Sequence, residues 1–116
     1  MSFPVQIAYR GLDRSEALDR VIAEEAAKLS KFFDGIVSCR VLIERRNPSH
    51  HTGAAFRVHL NVAIPGTDVA IMTEPRVSAS AVPIDAAATA RQAFRRARRR
   101  LREYAQRKSA KPRLLD

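Results

Sequence analysis

Eight arginines and one lysine fall within positions 91–108 of the chain: Arg91, Arg95, Arg96, Arg98, Arg99, Arg100, Arg102, Arg107 and Lys108. A guanidinium stays protonated at physiological pH and presents a planar fork that fits two phosphate oxygens at once, which a lysine ammonium does not. An ordinary charged helix face mixes signs, because opposite charges at i,i+4 gain ~0.2–0.5 kcal/mol and like charges lose a similar amount. Here Arg91/Arg95, Arg95/Arg99, Arg96/Arg100 and Arg98/Arg102 are like-charge pairs, and Glu103 is the only acid inside the run. A sequence that accumulates such penalties recovers them by binding a polyanion, and a merely solvated face does not account for it.

Other chemistry is sparse. His50 and His51 adjoin in a run of turn formers, and His59 stands on the polar side of a strand pattern, so three imidazoles could approach one another across a hairpin. A catalytic metal wants three ligands held by a supporting shell, so exposed loop histidines are the simpler reading. Cys39 alternates with Val37 and Val41, which makes it a small buried hydrophobe rather than a reactive thiolate. The four glycines Gly11, Gly35, Gly53 and Gly66 stand apart, so there is no phosphate-cradling loop, and no nucleophile elbow or zinc-protease spacing occurs. The pattern points away from an enzyme, a cofactor, a metal or a small-molecule substrate.

The chain has 116 residues, one domain's worth, with 46% hydrophobic and 28% charged residues, enough apolar content for a modest core. One cysteine excludes an internal disulfide and suits a reducing, cytoplasmic setting. No uncharged stretch approaches the roughly 18–20 apolar residues that cross a bilayer. The net charge of +9 is unevenly placed: residues 1–90 carry ten basic and ten acidic side chains, residues 91–116 eleven basic against Glu103 and Asp116. A neutral body with a cationic last quarter expects a nucleic-acid or anionic-membrane partner.

The elements that must carry these residues follow from periodicity. Phe3–Arg10 alternates, with Phe3, Val5, Ile7 and Tyr9 on one face, and predicts a first strand. Asp13 with Glu16 has the form of a capping box, and Leu18, Val21, Ile22, Leu29, Phe32 and Phe33 recur at helical spacing, predicting a helix from Arg14 to Phe33. Ile36–Arg46 places Val37, Cys39, Val41 and Ile43 on one face, and Ala54–Ile64 alternates again after the turn-rich 47–53, giving an antiparallel hairpin. Pro65-Gly66-Thr67-Asp68 reads as a tight turn into a short strand Val69–Thr73. Ile84–Lys108 is helical, with Ala87, Ala90, Phe94, Ala97, Leu101, Tyr104 and Ala105 in one stripe. The sum is an α+β domain over residues 1–108, two layers in the order β-α-β-β-β-α, with both helices on one face of a mostly antiparallel four-stranded sheet and a basic tail at 109–116.

With Phe94 as the buried centre and 100° per residue, Arg95, Arg96, Arg99, Arg100, Arg102 and Arg107 point outward while Arg91 and Arg98 flank the core. The apolar stripe is mostly alanine, suited to packing on a sheet rather than inserting into lipid, so nucleic acid is favoured over membrane. No helix-turn-helix or zinc-finger spacing supports sequence-specific DNA reading, which leaves a folded RNA recognised by shape and backbone.

Several segments in order then carry a family likeness: Gly11-Leu12-Asp13, Lys28-Leu29-Ser30-Lys31-Phe32-Phe33-Asp34, Ser38-Cys39-Arg40-Val41, His50-His51 leading to Phe56-Arg57-Val58, Val62-Ala63-Ile64-Pro65-Gly66, and Ala93-Phe94 through Arg98-Arg99-Arg100-Leu101-Arg102-Glu103-Tyr104. Together they resemble the short form of the ribosome hibernation promoting factor and ribosome-associated translation inhibitor family, also called ribosomal subunit interface proteins. The resemblance implies a fold like that of double-stranded-RNA-binding domains. It also implies a place in the decoding channel of the small ribosomal subunit, over rRNA, blocking translation and preserving idle ribosomes during stress or stationary phase. The family's rRNA contacts map here onto Lys28 and Lys31 at the end of the first helix and onto the arginines of the second. Two places depart from the family pattern: Ala87 stands where an aromatic usually follows Asp85 by two residues, and Asn47, Pro48, Ser49 and Thr52 replace basic residues of the histidine loop. Rival readings are a duplex-binding module unconnected with ribosomes, and a histidine metal enzyme.

Overall fold

The computed structural model describes residues 3–45, 56–75 and 86–110, the last three of these by their backbone alone. The elements are β1 (Val5–Arg10), α1 (Glu16–Phe32), β2 (Ser38–Arg45), β3 (Phe56–Ile64), β4 (Thr67–Thr73) and α2 (Ala86–Ala110). The four strands form one sheet in the order β1-β2-β3-β4. β1 and β2 run parallel, with Val5 opposite Cys39 and Tyr9 opposite Ile43, and parallel neighbours need a crossover, which α1 provides. β2–β3 and β3–β4 are antiparallel, and the second pair closes tightly because Pro65 and Gly66 lie between the partners Ile64 and Thr67. Gly66 has φ +89°, the left-handed conformation that a Pro-Gly turn requires at its second central position.

α1 starts two residues later than the sequence pattern implies. Its N-cap is Ser15, whose side chain accepts a hydrogen bond from the Leu18 amide at 3.1 Å, so Asp13 with Glu16 is not the capping pair. Arg14 lies outside the helix and turns its Nε to Asp19 Oδ2 at 2.7 Å, while the Tyr9 hydroxyl donates to Asp19 Oδ1 at 2.8 Å. One carboxylate thereby ties the end of β1 to the first turn of α1.

Both helices cover one face of the sheet. Leu18, Ile22, Ala26 and Leu29 of α1, and Ala90, Ala93, Phe94, Ala97 and Leu101 of α2, share one core with the inward residues of β2, β3 and β4. Phe94 is fully buried, and the alanines beside it let α2 lie close to the sheet. The strand alternation supports this packing, with every second residue of β3 from Phe56 to Ile64 buried. Thr73 closes the far end, its hydroxyl donating to the Thr89 carbonyl at 3.1 Å.

Three apolar positions differ from the sequence expectation, each for a reason of placement. Val37 is 55% exposed: its amide still pairs with the Ala63 carbonyl, but it precedes β2 at the end of the sheet where α1 has already stopped. Phe32, the last residue of α1, is 41% exposed, since it lies about 80° around the axis from Ile22. Ala105 is exposed because the last turns of α2 run on past the core, which ends at Leu101 with Tyr104 packed against its edge.

Phe94→Ala should lower the free energy of unfolding in urea by about 3–5 kcal/mol, whereas Ala105→Gln should leave it nearly unchanged. A second expectation concerns acid. The Arg14 guanidinium, helped by the Tyr9 hydroxyl and opposed by partial burial, holds the Asp19 carboxyl below the usual carboxylate value. A depressed folded-state value stabilises the fold above the unfolded value, near 4, and the gain is lost as pH falls through the folded one. Asp19→Asn should therefore melt lower than wild type at pH 7, and the gap should close as the buffer is taken below about pH 4.

Candidate nucleic-acid interface

The two helices run in the same direction, Glu25 of α1 meeting Arg98 of α2 and Phe32 meeting Arg102 further along. Around α2, Arg91, Arg98 and Arg102 lie about 40–80° from Phe94 on the flank toward α1, and Arg95 and Arg99 follow at about 100–140°. On the other flank, about 120–160° from Phe94, stand Arg96, Arg100 and Arg107. All of these except Arg98 are exposed.

Their pairing is uneven. Arg91, Arg95, Arg99, Arg100 and Arg107 make no ion pair or hydrogen bond with any described residue. Arg96 reaches the Met72 carbonyl on β4 only at 3.4 Å. Arg98 is half-buried and sits 3.6 Å from the Glu25 carboxylate, which also takes Lys28 Nζ at 3.1 Å. The guanidinium carbon of Arg102 lies 5.3 Å from the centre of the Phe32 ring, a cation–π contact. Lys31 is exposed in the last turn of α1, about 180° around the axis from Ile22, so it stands on the outermost line of that helix and apart from the α2 ridge. Lys108 falls on α2, and its side chain lies outside the described residues, as do His50, His51 and Asp85.

Glu25 is the member of this surface that sequence reading missed. It is buried and recurs in step with Leu18, Ile22 and Leu29, an acid on an apolar stripe, which is the sequence signal of a partnered interior charge. Its effect is to quench Arg98 and Lys28 while leaving the outer arginines alone.

The opposite face of the sheet contrasts with this. Glu44 accepts from Arg10 at 3.2 Å and pairs with His59 Nε2 at 3.1 Å, and Arg57 pairs with Glu74 at 2.7 Å. The His59 hydrogen bond, with Arg10 second, holds the Glu44 carboxyl below its usual value. The cations there are largely answered by acids; those of α2 are not. Among the described residues no three His, Cys, Asp or Glu side chains converge as metal ligands. Cys39 is buried between β1 and β3, and burial pushes its thiol up to about 12. No helix among the described residues is long and apolar enough to cross a membrane.

Fold and surface together define a two-layer α+β domain with one arginine-lined helix. Residues 5–109 match the family described as Sigma 54 modulation protein / S30EA ribosomal protein, and the chain belongs to that family. Two solved structures share the fold. A ribosomal subunit interface protein from Coxiella burnetii is 18% identical with a TM-score of 0.65, the alignment covering 89% of this chain and 98% of that one. The N-terminal domain of Protein Y from Thermus thermophilus is also 18% identical with a TM-score of 0.64, covering 85% of this chain and 94% of that one. No curated protein matches the sequence.

Glu25→Gln should cost about 1–3 kcal/mol in chemical denaturation, the range for leaving a desolvated polar group without its partner, because the half-buried Arg98 then lacks its counter-charge. Lys28→Met at the exposed end of the same trio should cost less.

Proposed function

We propose that this chain is a ribosome-binding inhibitor of translation, a hibernation factor without catalytic activity, which occupies the decoding channel of the small ribosomal subunit and neutralises rRNA phosphates with the arginines of α2. The observation that carries the reading is the row Arg91, Arg95, Arg99 and Arg100, exposed on one helix with no acid among the described residues to answer it. Membership of the S30EA ribosomal protein family supports the ribosome as the source of those phosphates. So does the name of the Coxiella burnetii relative in fold, a ribosomal subunit interface protein. Lys28, Lys31, Arg96, Arg98, Arg102, Arg107 and Lys108 complete the proposed contact set, with Arg98 and Lys28 weakened as phosphate ligands by their shared acid.

The mechanism is electrostatic. Each phosphate neutralised releases condensed counterion, so binding weakens linearly in log affinity against log salt. The α2 arginines stand on a helix whose other side is locked in the core, so the backbone that carries them is fixed before RNA arrives and only their side chains are ordered on binding.

Replacing Arg95, Arg99 and Arg100 together by glutamine should leave the melting temperature unchanged or slightly raised, because three repelling charges leave an exposed face. The same variant should lose co-sedimentation with small subunits at 150 mM salt, and its salt slope should fall by about 2–3. Unchanged co-sedimentation would overturn the reading. Equal affinity of the wild type for free duplex RNA and for small subunits would replace the ribosome with duplex RNA in general.

A further inference from the structure

At the end of the interhelical groove, the guanidinium of Arg102 lies over the exposed ring of Phe32 in a cation–π contact. Beside them is a hollow of about 350 Å³ lined by Phe32, Phe33, Asp34, Leu101, Arg102 and Ala105. The helix end did not need an aromatic here for the core, since Phe32 is 41% exposed while Leu29 one turn earlier is fully buried. Arg102 sits over that ring, its guanidinium carbon 5.3 Å from the ring centre.

We infer that the Phe32–Arg102 pair is a stacking platform for one unpaired nucleobase of RNA, a contact distinct in kind from the phosphate ridge beside it. The inference rests on the nucleic-acid reading above and adds to it what part of the RNA is taken at this point. The chemistry of the hollow selects the occupant. Its lining is mostly apolar, from Phe32, Phe33, Leu101 and Ala105, and includes one acid, Asp34, a charge that repels a phosphate and a group able to accept hydrogen bonds from the N–H groups of a base. A neutral, flat, partly apolar group fits such a place, whereas a phosphate does not. The ridge supplies the continuity: Arg95, Arg98 and Arg99 line the same flank of α2, so a strand held there by its phosphates passes the platform and presents a base to it. Arginine and phenylalanine both stack on the π-face of any base, so the contact favours unpaired nucleotides over a closed duplex without choosing a sequence.

The test uses the full chain with three probes of equal length: a single-stranded 12-mer of RNA, the same 12-mer with abasic nucleotides, and a 12-base-pair RNA duplex. Wild type should bind the first about 5- to 150-fold more tightly than the abasic strand. Phe32→Leu, which keeps an apolar residue at an exposed position, and Arg102→Lys, which keeps the charge, should each erase most of that ratio. Phe32→Leu should retain the wild-type melting temperature and the wild-type salt slope on the duplex. The inference is overturned if Phe32→Leu keeps the full ratio, or if wild type binds abasic and normal strands alike while still showing its salt slope; the phosphate ridge would survive either result. If wild type binds none of the three RNAs, the ridge and the platform fall together. If Phe32→Leu loses only binding to intact small subunits and none to the 12-mer, the ring touches a ribosomal protein and the base platform is wrong.

Discussion

Like charges on a helix push it toward unfolding, and α2 sets seven exposed arginines along about five turns, from Arg91 to Arg107, with one acid between them. What holds it helical is the other side, where Ala90, Ala93, Phe94, Ala97 and Leu101 are fully buried against the sheet and α1. Burying a large aromatic contributes roughly 1.5–3 kcal/mol, several times the cost of one repelling pair, so the stripe wins and the charges are carried along. Every feature of the candidate interface depends on that balance. The small alanines bring the backbone close to the strands, the single phenylalanine fixes the rotation, and the rotation decides which guanidiniums face outward.

The second constraint is the parallel run of the two helices. Because β1 and β2 are parallel, α1 must return against them, and the meander β2-β3-β4 then sends α2 back in the same direction as α1. Both helices end at the same end of the molecule, where their negative dipole ends gather and where Lys31, Arg102 and Arg107 stand to offset them. The groove between the helices is bridged by Glu25, which takes Arg98 and Lys28 at once. A surface that is cationic overall therefore contains one internal anchor, which takes one cation across the groove, Arg98, and a second, Lys28, within α1.

Most of this architecture was legible in the amino-acid order. The element order, the hairpins and the rotation of α2 follow from apolar spacing, since a half-buried strand and a one-sided helix leave periods that do not depend on their neighbours. What escaped were features set by where a neighbour ends. Asp13 and Ser15 are both good caps, and the choice falls to Ser15 because Arg14 and Tyr9 hold Asp19 in the first turn. Val37 and Ala105 keep their phase and yet lie open, as periodicity reports a direction and not whether anything stands in that direction. The arginines could be assigned to the outer face from sequence alone, but the pairing of Arg98 with Glu25 and the contact of Arg102 with Phe32 join residues some seventy positions apart. No local pattern encodes them.

The buried Cys39 carries a last consequence. Burial pushes its thiol up to about 12, so it stays protonated at neutral pH, and the residue has no exposed surface. It is the chain's only cysteine. The thiolate that would attack peroxide or oxidised glutathione is therefore scarcely formed and not exposed, and two copies cannot crosslink through it without first opening the sheet. At this position the domain answers oxidants only when β2 leaves its neighbours, and among the described residues the exposed Met72 is the sulfur they reach first.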